Sequence, residues 1–465
     1  MLTVACIWPA APFTESLVRK ALESLNIPVQ ILTSIPDAPL KFPLVQWSSY
    51  DEIEHEFSRN DSILQSSYII RKSLIRKHFL SRCIFSYCTK HPESVLKTAW
   101  PRTYEIEISF ADELDELFAD ELWELGEELG DTQKWWILKP GMADRGNGIR
   151  IFNDRATLEK ILEEFEDESA TDDEEDEEQK PNTAVIISQL RHFVIQEYIL
   201  NPLLIDLKEV PIGPDTSKPD ILQGHKFHLR AYCVASGALT LYLFNRVLAL
   251  FSSVPYSTPS SQDKILDLAP HLTNTSLQTN RGEEGVRLLN ELIGCHILST
   301  GSEQQIILTA EDVSDILHQI EVVLAETFKA ALENPINFQA IPNAFELFGV
   351  DFLVVQDSKD IANESKIKVK LLEINAEPAI ELTGPRLAWI LEDLFADIGK
   401  VCVEPFFAKQ SSSVQADAIS SNDSDWPVGE TRRNLVKSSP GLTLARHLVG
   451  YTRDSFKNVR NILTL

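Results

Sequence analysis

Cysteine is scarce and scattered. The six residues, Cys6, Cys83, Cys88, Cys233, Cys295 and Cys402, form no C-x-x-C pair, which argues against a disulfide or zinc framework and for free thiols in a reducing compartment. No apolar run approaches the ~20 residues a membrane span needs. The apolar start lacks a basic region and is broken by Pro9 and Pro12, so it reads as a strand and loop rather than a signal peptide. Positive charge is also in deficit: 43 Lys and Arg against 70 Asp and Glu give a net charge of -27. That balance opposes non-specific nucleic-acid binding, and no aromatic–basic platform offsets it. The sequence has no G-x-x-x-x-G-K-[ST], G-x-S-x-G or H-E-x-x-H and no kinase HRD/DFG set, which removes the P-loop, hydrolase, zincin and kinase chemistries. No internal repeat is found. The expected location is the cytoplasm, with the nucleus also open.

What is present is an ordinary globular composition, 43% hydrophobic and 24% charged over 465 residues, enough for two to four domains. Twelve acidic and no basic residues lie between Glu163 and Glu178. Residues 163–180 cannot bury enough apolar area to order themselves and read as a disordered surface insertion. The chain opens in α/β style, with strands expected at 2–8 and 29–32 around a helix at 15–25. A helix is expected over 61–87, carrying Arg71, Lys72, Arg76, Lys77, His78 and Arg82. An amphipathic helix is expected over 112–129. Further expected elements are a hairpin over 225–250 turning at Ser236-Gly237, helices at 283–294 and 309–335, and a strand pair at 344–355 and 367–374. A closing helix at 385–403, a linker at 409–438 and a short basic helix at 442–465 complete the reading. The units divide as 1–70, 71–199, 200–408 and 409–465.

Five stretches carry polar groups where chemistry needs them. The apolar run from Trp135 ends on Lys139 and enters a loop holding Arg145, Gly146 and Gly148, whose backbone N–H groups can face an anion beside the lysine charge. In the strand from His225 to Tyr232, Lys226, His228 and Arg230 share one face at period two while Phe227 and Leu229 take the other. Two cations in such a row are costly to bury without an anion to meet. Glu373 and Asn375 likewise share a face at the end of an apolar strand, and Asp351 sits inside another. Carboxylate and amide oxygens suit Mg²⁺, which completes its shell with phosphate and water. The strand ending Gln196-Glu197-Tyr198-Ile199 can offer backbone groups to an adenine edge. Together these describe a nucleotide held between two sheets.

At this point the sequence resembles the ATP-grasp enzymes, and within them the tubulin–tyrosine ligase family. The resemblance rests on Ile137-Leu138-Lys139-Pro140 with its glycine loop, Val194 to Tyr198, Gly224 to Arg230, His271-Leu272-Thr273-Asn274, Phe348 to Phe352 and Leu372 to Asn375. These occur in family order over roughly 70–400. The resemblance implies an α+β ATP-grasp fold, with the nucleotide between a central and a C-terminal lobe behind a small N-terminal α/β domain. ATP would be bound by Lys139, Arg145, Gly146, Gly148, Gln196, Glu197, Tyr198, Ile199, Lys226, His228, Thr273 and Asn274. Mg²⁺ would be carried by Asp351, Glu373 and Asn375, and catalysis by Arg230, Lys226 and Glu373. The implied reaction activates a protein C-terminal carboxylate as an acyl phosphate, which an amino-acid amine then attacks. Tubulin and tyrosine are the inherited substrates, with the basic segment 71–82 as a seat for an acidic tubulin tail. No nucleic-acid or membrane partner is implied.

Two departures bear on the second half of that reaction. The family usually has an aspartate where this chain has His228. It also has an arginine on the next strand, at about the place of Ala249, while Arg246 lies three positions away. The alternative is an ATP-binding interaction module whose catalysis has lapsed.

Overall fold

The computed structural model describes residues 2–36, 43–131, 133–141, 148–170, 192–212, 221–260, 267–273, 283–299, 306–356, 367–416 and 442–447. A small parallel sheet comes first, in the order β2-β1-β3-β4, from β1 (Leu2–Ala5), β2 (Val29–Leu32), β3 (Leu44–Gln46) and β4 (Ile63–Gln65), with α1 (Pro12–Glu23) between the first two strands. Next come α2 (Lys72–Ile75), α3 (Lys77–Lys90) and α4 (Leu96–Ala99).

A second, antiparallel sheet is ordered β5-β8-β6-β7 and consists of β5 (Thr103–Glu107), β6 (Trp136–Pro140), β7 (Arg150–Phe152) and β8 (His192–Glu197). Its helices are α5 (Leu114–Ala119), α6 (Trp123–Glu128) and α7 (Arg155–Ala170). The third sheet is the largest. It takes in β9 (Leu204–Ile205), β10 (His225–Ser236), β11 (Thr240–Phe244), β12 (Leu248–Phe251), β13 (Val286–Leu288), β14 (Phe345–Gln356), β15 (Ile367–Ala376) and β16 (Leu442–His447). The helix α8 (Ala310–Leu332) precedes β14, and α9 (Ala388–Ile398) and α10 (Glu404–Ala416) follow β15.

The period-two pattern of β10 and β14 explains how the large sheet is covered. Leu229, Ala231 and Cys233, with Val350 and Phe352, face a core closed by Leu324 and Phe328 of α8 and by Leu80 and Ile84 of α3. On the opposite face, Tyr232, Val234 and Phe345 pack with Leu391, Leu394 and Phe395 of α9 and Leu17 and Val18 of α1. That second cover extends along only part of the strands. The remainder of the face, bearing Lys226, His228 and Arg230, looks toward the second sheet.

Several elements differ from expectation. The segment 61–87 is a strand and two helices, because Arg76 is extended at φ -108°, ψ 118°. Residues 112–129 form two short helices, α5 and α6, and 283–294 form β13 with a short 3₁₀ turn instead of a helix. The hairpin turns at Gly237, whose φ is +62°, but its second arm is split into β11 and β12. Of the acidic stretch 163–180, residues up to Ala170 extend α7, and 171–180 lie outside the described residues. The expected linker begins as helix α10, and Leu442–His447 pairs with β11 as a strand where a helix was expected. A sheet edge supplies a backbone partner that no local pattern announces.

Phe328 is fully buried, with ring centroids 5.7 Å from Phe348 and 6.2 Å from Phe338. Phe328→Ala is expected to cost about 3–5 kcal/mol, read as a lowered midpoint in denaturant unfolding with an unchanged slope.

Candidate functional site

The site is built where the second and third sheets face each other. On β6, Trp136 and Leu138 enter the core against Leu158 and Leu162 of α7, so alternation turns Ile137 and Lys139 to the opposite face. On β14 the same rule buries Val350 and Phe352 and presents Asp351 and Leu353. β15 departs from strict alternation. Its register with β14 shifts between Asp351 opposite Glu373 and Phe352 opposite Leu371, so Leu372 is the extra residue of a bulge. Both Leu372 and Glu373 then reach the cleft. The cleft is lined by Lys139, Gln196, Tyr198, Lys226, Asp351 and Glu373 among others.

Its polar groups form two linked sets. On one side, Lys139 Nζ donates to Gln196 Oε1 at 2.6 Å and Gln196 Nε2 donates to Thr103 Oγ1 at 3.1 Å. Lys226 Nζ donates to the Tyr198 hydroxyl at 3.2 Å, and that oxygen is 2.9 Å from His271 Nδ1. On the other side, Arg230 grips both oxygens of Asp351, with Nη2 donating to Oδ2 at 2.9 Å. Glu373 Oε2 lies 3.3 Å from Lys77 Nζ, and Asn375 Nδ2 donates to Glu373 Oε1 at 3.3 Å.

The two sides differ in charge compensation. Burial lowers Lys226 to about 7, with Lys139 adding to the effect. Burial likewise lowers Lys139 to about 8, against the pull of Glu373. Burial pushes the Glu373 carboxyl up, but Lys77 and Lys139 overcome it and hold that group well below the ordinary carboxylate range. The lysine side is therefore short of an anion, while each carboxylate already faces a cation. Among the described residues no group of three or more His, Cys, Asp and Glu comes together. Two carboxylates and an amide remain, a hard-oxygen set that fits Mg²⁺ when phosphate oxygens complete the shell.

The cleft lining includes the expected residues Lys139, Gln196, Glu197, Tyr198, Ile199, Lys226, His228, Thr273, Asp351 and Glu373. Arg230 and Asn375 join it through Asp351 and Glu373. Gly148 follows the expected loop at φ +70°, whereas Arg145, Gly146 and Asn274 lie outside the described residues. The adenine expectation narrows, because the N–H groups of Glu197 and Tyr198 already donate to the Arg102 and Trp135 carbonyls at 2.8 Å each.

Two readings are corrected. Ala249 is paired with Leu229 and lies in the core away from the cleft, so the cleft-side position of β12 is Leu250, opposite His228. The basic segment 71–82 is not one cationic face. Arg71 is buried against Glu346 at 3.2 Å, His78 is buried, Lys77 meets Glu373, and Arg82 pairs with Glu105 at 2.8 Å. Lys77 and His271 were missed as site residues. The kink at Arg76 that aims Lys77 inward has no sequence signature. His271 was visible only as part of the motif His271-Leu272-Thr273-Asn274.

Known proteins resemble this chain. The model of the "Tubulin-tyrosine ligase family" matches residues 62–411. The chain is 36% identical over 410 residues to "Probable tubulin--tyrosine ligase PBY1" of Saccharomyces cerevisiae, covering 83% of this chain and 50% of that protein. It is 34% identical over 378 residues to "Probable tubulin--tyrosine ligase C12B10.04" of Schizosaccharomyces pombe, covering 78% and 83%. The chain thus spans half the length of the first relative and most of the second. The crystal structure of the C-terminal domain of K. lactis Pby1, described as an ATP-grasp enzyme interacting with the mRNA decapping enzyme Dcp2, superposes with a TM-score of 0.61. It has 30% identity and covers 88% of this chain and 94% of that one. The chain belongs to the tubulin–tyrosine ligase family and has its ATP-grasp fold, which implies ATP binding.

Two measurements follow. A polyanion entering beside Lys139 and Lys226 raises both pKa values, so nucleotide binding at pH 8 is expected to take up protons. Calorimetry in buffers of different ionisation enthalpy reads this directly. In the folded protein the two lysines are lowered from 10.5 in the unfolded chain to about 8 and 7. Between about pH 7 and 10.5 the unfolded state then binds more protons, and these groups make stability rise with pH. Secondly, a Cβ on Gly349 would come within 2.6 Å of Pro378 Cβ and 3.2 Å of Arg230 Cδ. Gly349→Ala is expected to cost about 1–3 kcal/mol by overpacking, seen in thermal unfolding, and to weaken nucleotide affinity by displacing Arg230.

Proposed function

We propose that this chain is an ATP- and Mg²⁺-dependent ligase that joins an amino acid to a protein carboxylate through an acyl-phosphate intermediate. The observation that carries this reading is the convergence of Lys139 and Lys226 with Asp351 and Glu373 on one cleft, from four strands in two sheets. Lys139 and Lys226 would bind the phosphates. Asp351, Glu373 and Asn375 would hold Mg²⁺, which offsets phosphate charge when bound. Arg230, fixed by Asp351, would steady the transferring group.

An acceptor carboxylate oxygen attacks the γ-phosphorus and the bond to the β–γ bridging oxygen breaks, releasing ADP. The amine nitrogen of the amino acid then attacks the acyl carbon, the C–O bond to phosphate breaks, and the departing phosphate takes the amine proton. This is catalysis by positioning and charge neutralisation. Exposed Lys72 and half-buried Arg76 are the cations of segment 71–82 left to meet an acidic acceptor. A tubulin C-terminus with tyrosine is the acceptor and donor to try first.

A second reading, an ATP-binding module without ligation, is favoured by one feature: β12 turns Leu248 and Leu250, with no cation, to the face that carries His228 and Arg230.

Incubation with ATP, Mg²⁺, detyrosinated tubulin and radiolabelled tyrosine, then with other labelled amino acids, separates the two. Incorporation that falls about 100-fold or more in Glu373→Gln, on the scale of a lost charge-stabilising group, is the expected outcome. ATP binding without incorporation of any amino acid would favour the module.

A further inference from the structure

One residue beside the cleft holds a backbone conformation that its side chain disfavours. Among the described residues Glu377 is the one non-glycine residue with positive φ, at +47°. Glycine is the default there, and a glutamate costs strain. The side chain is exposed, so no core packing repays that strain. Its charge adds a second cost, since Glu346, raised chiefly by burial, is pushed further up by the Glu377 carboxylate. A glutamate that carries both costs calls for a contact that glycine could not make.

That contact crosses to the N-terminal sheet. Glu377 Oε1 accepts the Tyr50 N–H at 2.6 Å, from the 3₁₀ turn Tyr50–Glu52 that follows β3. The Tyr50 hydroxyl donates to the Ile69 carbonyl at 3.1 Å, and the Arg71 guanidinium lies 3.8 Å from the centre of its ring. Further along the same segment, Glu381 Oε1 is 3.5 Å from Thr14 Oγ1 of α1. On the cleft side, the turn at Glu377 follows the end of β15. Asn375 pairs with Gly349, and Pro378 folds back onto that glycine beside Arg230, so close that a Cβ on Gly349 would clash. Glu377 therefore stands between Asn375 and the proline that closes over the sheet at Arg230.

We infer that Glu377 is a positioning residue: its carboxylate clasps the N-terminal unit through the Tyr50 N–H, and the turn so held sets Asn375 and Arg230 for a magnesium triphosphate. Glu377 is not among the residues lining the cleft and acts through those two. The inference deepens, and rests on, the reading of the cleft as a Mg²⁺–ATP site, and it makes that site depend on the small sheet.

The test is equilibrium binding of ATP, with Mg²⁺ and in EDTA, to the full chain and to its Glu377→Gly and Glu377→Gln variants. Thermal unfolding checks that each variant is folded. Glycine suits the φ and loses the acceptor, whereas glutamine keeps an acceptor oxygen and loses the charge. Glu377→Gly is expected to raise the Mg²⁺ concentration for half-maximal binding about fivefold or more, the scale of one lost hydrogen bond to a charged group. Its ATP affinity in EDTA is expected to stay within about twofold of the wild type, and Glu377→Gln within about twofold in both conditions. Amide hydrogen exchange of the nucleotide-free protein reads the clasp itself: Tyr50 should exchange faster in Glu377→Gly than in the wild type. A wild-type Mg²⁺ dependence in Glu377→Gly, an equal loss in EDTA, an equal loss in Glu377→Gln, or unchanged Tyr50 exchange each overturns the inference and leaves the nucleotide site standing. A wild-type chain that binds no ATP overturns both.

Discussion

The cleft depends on the grip of Arg230 on Asp351. Both are on neighbouring central strands of the large sheet, directly opposite in register, and Asp351 is 5% exposed. A carboxylate so placed is tolerable only with a cation against it. Once the pair is formed it fixes the level at which everything else in the site is counted. Glu373 is opposite Asp351 on the next strand, and Lys77 reaches Glu373 from α3. The carboxylate side is thus neutralised from within. The lysine side is not: Lys226 rests on the Tyr198 hydroxyl and ring, and Lys139 on an amide oxygen. The asymmetry leaves the lysines to be met by a polyanion, in keeping with the ATP binding that the fold implies.

The small N-terminal sheet has a part in this arrangement. Glu346, five residues before Asp351 on β14, is raised to about 7 by burial, although Arg71 draws it down. It also accepts the Tyr68 N–H at 3.0 Å. These contacts tie the chain after β4 to the large sheet and deliver the kink at Arg76, and so Lys77, to Glu373. A residue read from sequence as part of a surface for partners is an internal counter-ion because of a buried contact six residues earlier.

The two departures from the family pattern read in the sequence fall on neighbouring strands, His228 on β10 and the missing arginine on β12, whose residue opposite His228 is Leu250. An imidazole thus stands beside an aliphatic side chain on that face. The change leaves the Lys139, Lys226, Asp351 and Glu373 arrangement untouched.

The sequence by itself determined the site's ingredients. Period-two alternation put Lys226, His228 and Arg230 on one face of a strand, and Glu373 and Asn375 on one face of another, because strand geometry is local. The ordered motifs identified the ATP-grasp family for the same reason. Long strands such as β10, β14 and β15 were legible from their apolar runs, and the residues of β3, β4 and β5 were too short to stand out. What only the tertiary structure decided were the non-local relations. These include which face of β12 meets the cleft, the bulge at Leu372, the inward aim of Lys77, and the pairing of Leu442–His447 with β11. Each turns on register, burial and charge pairing between segments far apart in the chain, and no window of neighbouring residues contains that information.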